Sequence, residues 1–360
     1  MRPINAGSPA AWSASDLRAD ETWIQTLDDA ARRDLIGAAR AAMAADKPLF
    51  DYRRDDFDLG RALAPIERGV REAKDGRGFA LLRGLPREGL TDHEFEVLTW
   101  GIGLHTGVAR PQGMASQFIA AVRDEGTTYR SSGGRGYSSA SKLDFHVDGA
   151  DLAFLTCYNV AKSGGESMVT SSVAAHNVMV AERPDLAEIL HEPLYFSRQR
   201  EQASDEGPFY TNPVWDEADG VLCGKWNRNR VMSAQAIEGV PALTARQHEA
   251  LDLLDEIVSR DALMYRMTLR PGDMQILNNH VMFHSRTDFV DHDDPALKRL
   301  LFRLWLAPPG WPALPESWRP FYRSVEAGTV RGGITGQGYD DTRRGYERRQ
   351  AAALGMRVPG

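Results

Sequence analysis

Cysteine is almost missing from this 360-residue chain: Cys157 and Cys223 are the only two. They cannot build a disulfide framework or a Cys-x-x-Cys site, and a reducing compartment suits them. An excess of basic charge is lacking as well. Lys and Arg number 43 against 50 Asp and Glu, a formal net charge of −7, so no overall positive field draws the chain to nucleic acid or an anionic membrane. No apolar run approaches eighteen residues, which excludes a membrane-spanning helix. The opening stretch MRPINAGSPAAWS has one Arg and lacks the apolar core of a secretory signal. No internal repeat is visible. What is present, 42% hydrophobic and 26% charged residues, is the composition of a globular domain. A soluble, cytoplasmic protein without nucleic-acid or membrane partners is the expectation.

The texture changes along the chain. Residues 1–77 read as a helical extension packed on a core, with Asp28–Asp46 rich in Ala, Leu and Arg. The run Gly78-Phe79-Ala80-Leu81-Leu82-Arg83-Gly84 is apolar and bracketed by glycines, as a buried strand is. From there to residue 307, short strands alternate with Gly-, Pro- and Asn-rich turns, interrupted by two helices. One begins at Ser171-Ser172. The other carries a capping box at Thr244 and Gln247, with Ala250, Leu251, Leu254, Ile257 and Val258 on one face. The fold class is mainly β with flanking helices, a sandwich or barrel core over 78–307. Residues 308–360 form a C-terminal extension. Its glycines and arginines from Arg331 onward predict a solvated, loosely packed tail. The Gly/Ser-rich loop Arg130–Ser139 predicts a lid.

The chemistry concentrates in a few places. In Leu143-Asp144-Phe145-His146-Val147-Asp148-Gly149, a strand puts His146 and Asp148 side by side on one face. A neutral imidazole and a carboxylate are two ligands of a facial triad for a divalent metal. Alone, His-x-Asp is a weak pattern. A third ligand comes from a sequence-distant strand, and after the Pro271-Gly272-Asp273 turn both His280 and His284 qualify by spacing. Further on, Arg299, Leu301, Arg303 and Trp305 share one face of a strand whose other face is Leu300, Phe302, Leu304 and Leu306. Two arginines aimed into an interior need anionic partners, from the protein or from a carboxylate-bearing ligand.

His-x-Asp, then Gly164-Gly165-Glu166-Ser167, then Gly272-Asp273 with a following histidine, then Arg299 and Arg303, resembles the Fe(II)/2-oxoglutarate-dependent dioxygenases of the TauD/TfdA (taurine dioxygenase-like, clavaminate synthase-like) family. The resemblance spans residues 78–307, with the motifs in the family's order. It implies a double-stranded β-helix (jelly-roll) core, Fe(II) held by His146, Asp148 and His284, and 2-oxoglutarate and O2 as co-substrates. It implies that Arg299 grips the distal carboxylate of 2-oxoglutarate, with Ser167 standing where the family has a threonine against the same molecule. Arg303 is implied as a second cofactor-side arginine that contacts an anionic substrate. Related halogenases lack the carboxylate, so Asp148 implies hydroxylation of a small anionic molecule with release of succinate and CO2.

Tyr137, Lys142 and Arg230 are further candidate substrate contacts, the first two because they sit in or beside the loop before the metal segment. Two rival functions use the same residues. A zinc hydrolase on the His/Asp/His set leaves Arg299 and the Gly-Gly-Glu-Ser turn without a role, and a non-catalytic jelly-roll binding module would not require a full triad. The sequence leaves the substrate's identity open, along with the choice between monomer and homo-oligomer.

Overall fold

The glycine-bracketed run becomes the strand Phe79–Arg83, and its neighbours come from far along the chain. In the computed structural model, which describes residues 7–127, 129 and 136–359, the larger sheet runs Ile24–Thr26, Phe79–Arg83, Met274–Asn278, Leu152–Asn159, Leu300–Ala307, Val108–Arg110. Ile119–Val122 also pairs with Leu300–Ala307. Only the first pair is parallel; the others are antiparallel. A smaller antiparallel sheet is ordered Tyr265–Met267, Ser167–Ser171, Met282–Arg286.

The period of two decides what each face of the large sheet does. Leu82, Ile276, Phe154, Phe302, Leu304 and Leu306 point into an apolar cluster with Leu35, Ile66 and Phe95, which lie on the helices Asp29–Ala44, Leu63–Asp75 and Asp92–Thr106. Leu81, Leu277, Ala153, Leu301 and Trp305 point the other way, into a cluster with Val169 and Phe283 of the smaller sheet. Truncating a core side chain such as Leu304, fully buried, costs about 2–5 kcal/mol. The Thr244 capping box and the buried face of Ala245–Val258 form as the sequence predicts, and Ser171 caps the helix Ser172–Glu182.

Several expectations need correction. Helices cover more of the described chain than strands do, so the architecture is mixed rather than mainly β. The fifteen-residue helix Asp92–Thr106 has no amphipathic pattern to reveal it, because beyond its exposed first turn Phe95, Trp100, Ile102 and Leu104 are buried around it and leave no polar stripe. The N-terminal segment contributes a strand, Ile24–Thr26, as well as helices. His146 lies in an extended segment held by isolated bridges rather than in a continuous strand. The C-terminal tail is packed. Arg331 is 2% exposed and ion-paired to Asp151, the helix Asp341–Ala353 buries Tyr346, and Glu347 pairs with Arg110. Arg331 is spent on a distant internal carboxylate, which composition could not reveal, while Arg343 and Arg344 pair locally with Asp340 and Asp341. No helix among the described residues is long and apolar enough to cross a membrane.

Candidate active site

Both sheets contribute to one cavity, lined by Leu155, Gln275 and Leu301 from the larger and by Ser167, His284 and Arg286 from the smaller. The segment bearing His146 and Asp148 threads between them. His146 N–H donates to His284 O at 2.9 Å, and His284 N–H donates back to His146 O at 2.9 Å. This reciprocal pair sets the two imidazole rings 4.4 Å apart, centre to centre. On the other side, Val147 N–H donates to Trp226 O at 3.0 Å, and Asp148 N–H donates to Asn279 Oδ1 at 3.0 Å.

These contacts bring one ligand atom each from His146, Asp148 and His284 within 4.8 Å of one another. His146 Nδ1 lies 2.8 Å from Asp144 O, which fixes the ring and leaves Nε2 for the cavity. His284 Nε2 stands 3.8 Å from Asp148 Oδ2, too far for a hydrogen bond. That Oδ2 has no hydrogen-bond partner among the described residues. The other oxygen, Oδ1, accepts from Arg303 Nη1 at 3.0 Å, and Arg303 Nε donates to Gln112 Oε1 at 2.7 Å.

The electrostatics keep the donors in their ligating forms. Burial pushes His284 down to about 3, with the neighbouring His146 adding to the effect. Burial also lowers His146, against the opposing pull of Asp148. For Asp148, burial raises the carboxyl pKa, but Arg303 and the two imidazoles outweigh it and hold the group below its usual range. Two neutral imidazoles and a carboxylate with an unused oxygen suit a divalent transition metal. His280, the other histidine of the pair, is elsewhere: its Nε2 meets Asp151 Oδ1 at 2.7 Å.

Arg299 enters the same cavity from the start of the strand Leu300–Ala307 and is 6% exposed. Its guanidinium lies 5.1 Å over the Phe289 ring, and among the described residues it makes no carboxylate ion pair and its Nη1 has no hydrogen-bond partner. Burial pulls its pKa down to about 10. Gly164 and Gly165, both at positive φ (72° and 73°), let the chain turn tightly beneath it. A Cβ on Gly165 would stand 3.3 Å from Arg299 Nε, and one on Gly164 only 2.2 Å from Asp288 O. Ser167 follows that turn; its hydroxyl lines the cavity and donates to Gln275 Oε1 at 2.9 Å.

Tyr137 and Arg230 also line the cavity. Arg230 is already paired, with Nη2 at 2.8 Å from Glu201 Oε2 and Nη1 donating to Ser197 O at 3.0 Å. Lys142 is exposed and does not line it, because the chain turns its side chain to solvent just before the metal segment. The lid reading of Arg130–Ser139 lies for residues 130–135 outside the described residues; Gly136–Ser138 is a single 3-10 turn at the cavity. Sequence reasoning missed Gln275, Arg286 and Lys225. Arg286 sits buried beside Arg299 and donates to Ser139 O and Ser141 O at 2.6 and 2.7 Å. Its period-two relation to His284 was a readable signal.

The profile of the taurine catabolism dioxygenase TauD, TfdA family matches residues 45–305, beginning inside the segment read as an N-terminal extension. FR-33289 synthase of Streptomyces rubellomurinus is 31% identical over 309 residues, which cover 85% of this chain and 90% of the relative. Taurine hydroxylase-like protein SAT17 of Stachybotrys chartarum is 26% identical, covering 83% and 81%. Among solved structures, asparagine oxygenase in complex with Fe(II), hydroxyasparagine and succinate superposes with a TM-score of 0.58 at 21% identity, over 79% of this chain and 93% of that one. The oxygenase OrfP with Fe and alpha-ketoglutaric acid gives 0.57 at 16% identity, over 79% and 94%. Those two likenesses are of fold.

Proposed function

This chain belongs to the TauD/TfdA family and is an iron- and 2-oxoglutarate-dependent dioxygenase, and from that premise we propose that it hydroxylates an unactivated C–H bond of a small molecule at the cavity described above. In this reading His146, Asp148 and His284 hold Fe(II), the two sheets are the walls of a double-stranded β-helix, and residues 78–307 are its catalytic unit. When bound, the iron with 2-oxoglutarate and O2 supplies oxidation of the C–H bond, coupled to conversion of the co-substrate to succinate and CO2.

The protein's residues bind, orient and exclude water. Arg299 receives the distal carboxylate of 2-oxoglutarate, a bidentate, charge-assisted contact that relieves a guanidinium otherwise buried without a counter-charge. Ser167, its hydroxyl turned from Gln275 Oε1, donates to the same carboxylate. Arg303 holds Asp148 in one orientation through Oδ1, leaving Oδ2 for the metal. Tyr137 and Arg230 contact the substrate, and the apolar walls around Leu155, Leu301 and Trp226 keep bulk water from the reacting bond.

One observation carries this reading: a cluster of three donors within 4.8 Å shares its cavity with a buried arginine that has no carboxylate partner. A zinc hydrolase would use the first half and leave the second without a purpose. The test is anaerobic addition of Fe(II), then 2-oxoglutarate, to metal-free protein. The weak visible band of the iron–2-oxoglutarate complex is expected in the wild type and lost in His146→Ala and Arg299→Ala. Absence of the band with tight zinc binding overturns the oxygenase reading.

A further inference from the structure

Lys225 lies in the same cavity and is only 4% exposed. Its ammonium stands 3.6 Å from the centre of the Phe321 ring, 5.0 Å from that of Tyr322 and 5.7 Å from that of Tyr210. Three aromatic faces give some cation–π stabilisation, but they supply no hydrogen-bond acceptor. Among the described residues the ammonium has neither an ion pair nor a hydrogen bond. The carboxylates nearby are engaged elsewhere: Glu201 with Arg230 at 2.8 Å, Glu206 with Arg198 at 3.2 Å. Burial pushes the ammonium pKa well below its ordinary value, and Arg230 and Arg198 push it further.

The backbone fixes where this charge points. Asn227 bridges His146 antiparallel, and Val147 N–H donates to Trp226 O. Continued by one step, that register sets Lys225 across from Asp148. Alternation then puts Lys225 and Asn227 on the face that carries His146 and Asp148. Gly224 N–H donates to His280 O and Lys225 N–H to Val214 O, each at 2.7 Å, so the segment is tied on both sides. Arg299, by contrast, packs on Phe289 and Gly165. Lys225 and Arg299 therefore stand on different walls of the cavity, each buried without a carboxylate partner among the described residues, with the three-donor cluster common to both; Arg286, buried beside Arg299, is bonded to the backbone carbonyls of Ser139 and Ser141. Arg303 is committed to Asp148 and Gln112.

We propose that Lys225 is a specificity-determining residue that anchors an oxyanion group of the primary substrate, a carboxylate, sulfonate or phosphoryl terminus, with the carbon to be oxidised lying between that terminus and the metal. This rests on the dioxygenase reading. The aromatic walls of Phe196, Tyr210 and Phe321 suit a short aliphatic stem between the two ends. A buried ammonium without a counter-charge is a cost to the folded protein that a bound anion removes.

The experiment uses the anaerobic wild-type protein loaded with Fe(II) and saturating 2-oxoglutarate, so that Arg299 is occupied. Acetate, methanesulfonate and inorganic phosphate are the probes, titrated at ionic strength held constant with chloride. At least one is expected to shift the visible band and raise the thermal midpoint saturably. In Lys225→Met the band forms at the same 2-oxoglutarate concentration, the probe-free midpoint is equal or higher, and the probe's Kd rises about tenfold or more. Lys225→Arg restores binding. Lys225→Gln serves as the second variant should the methionine protein fail to fold. No band in the wild type overturns the dioxygenase reading itself. A normal band with no response to any probe, or with equal Kd in wild type and Lys225→Met, overturns the role of Lys225 alone. A lower probe-free midpoint with unchanged Kd makes the lysine purely structural.

Discussion

Two buried Asp–His–Arg clusters lie within a few residues of each other, built from the same residue types. In one, Asp151 Oδ1 accepts from His280 Nε2 at 2.7 Å and from Arg331 Nε at 2.9 Å. In the other, Asp148 meets Arg303 at 3.0 Å but stands 3.8 Å from His284, with His146 as a second imidazole. In the first cluster the imidazole and the guanidinium are both spent on one carboxylate oxygen, Oδ1 of Asp151. The second is splayed around a shared point, and it opens on the cavity. An ångström of separation, and the presence of a void beside it, divides a structural network from a site that needs a third party.

The sharpest way to break this comparison is to remove one group from each side. His284→Ala is expected to abolish succinate formation and the iron–2-oxoglutarate band. The loss should exceed the roughly 10–100-fold that removing a group behind a metal ligand costs, with little change in denaturation midpoint. Retained turnover in that variant would erase the distinction. Arg331→Met is expected to do the reverse. Leaving Asp151 buried without its guanidinium costs about 3–5 kcal/mol of stability, read by urea denaturation, while the folded fraction still forms the band. A variant as stable as wild type would show the closed cluster to be idle.

How much of this contrast the sequence contained is instructive. The His146–Asp148 spacing is readable, because two residues apart on extended chain means one face. His280 and His284 are not separable by type or spacing; what separates them is that His280 sits in the turn after Met274–Asn278 while His284 lies on the next strand, opposite His146. The two alternating faces of the strand Leu300–Ala307 were legible, since one meets helices and the other the cavity, while its bounds were not. Lys225 was not. Its meaning depends on Tyr210, Phe321 and Tyr322, which no local pattern connects to Gly224-Lys225-Trp226. The helix Asp92–Thr106 carries one local signal, the capping box of Thr91 and Glu94.

Smaller substitutions sharpen the comparison inside the open cluster's cavity. Arg299→Gln is expected to raise the KM for 2-oxoglutarate about 10- to 100-fold, the worth of a charge-assisted bidentate contact, with kcat at saturation less affected. An unchanged KM would move the co-substrate away from Arg299. Ser167→Ala is expected to raise the same KM roughly fivefold, one hydrogen bond's worth, and Ser167→Thr to restore it. Steady-state kinetics with varied 2-oxoglutarate measures both.

The packed tail has a consequence for the order in which the molecule is made. Phe321 and Tyr322, which flank Lys225, and Arg331, which closes on Asp151, come from the last fifty residues. A nascent chain that has already formed both sheets still lacks one wall of its cavity and the counter-charge of a buried aspartate. The chain must be made through Arg331 before the interior is sealed. Loss of the segment 321–331 is therefore felt at the centre of the molecule and not at its periphery.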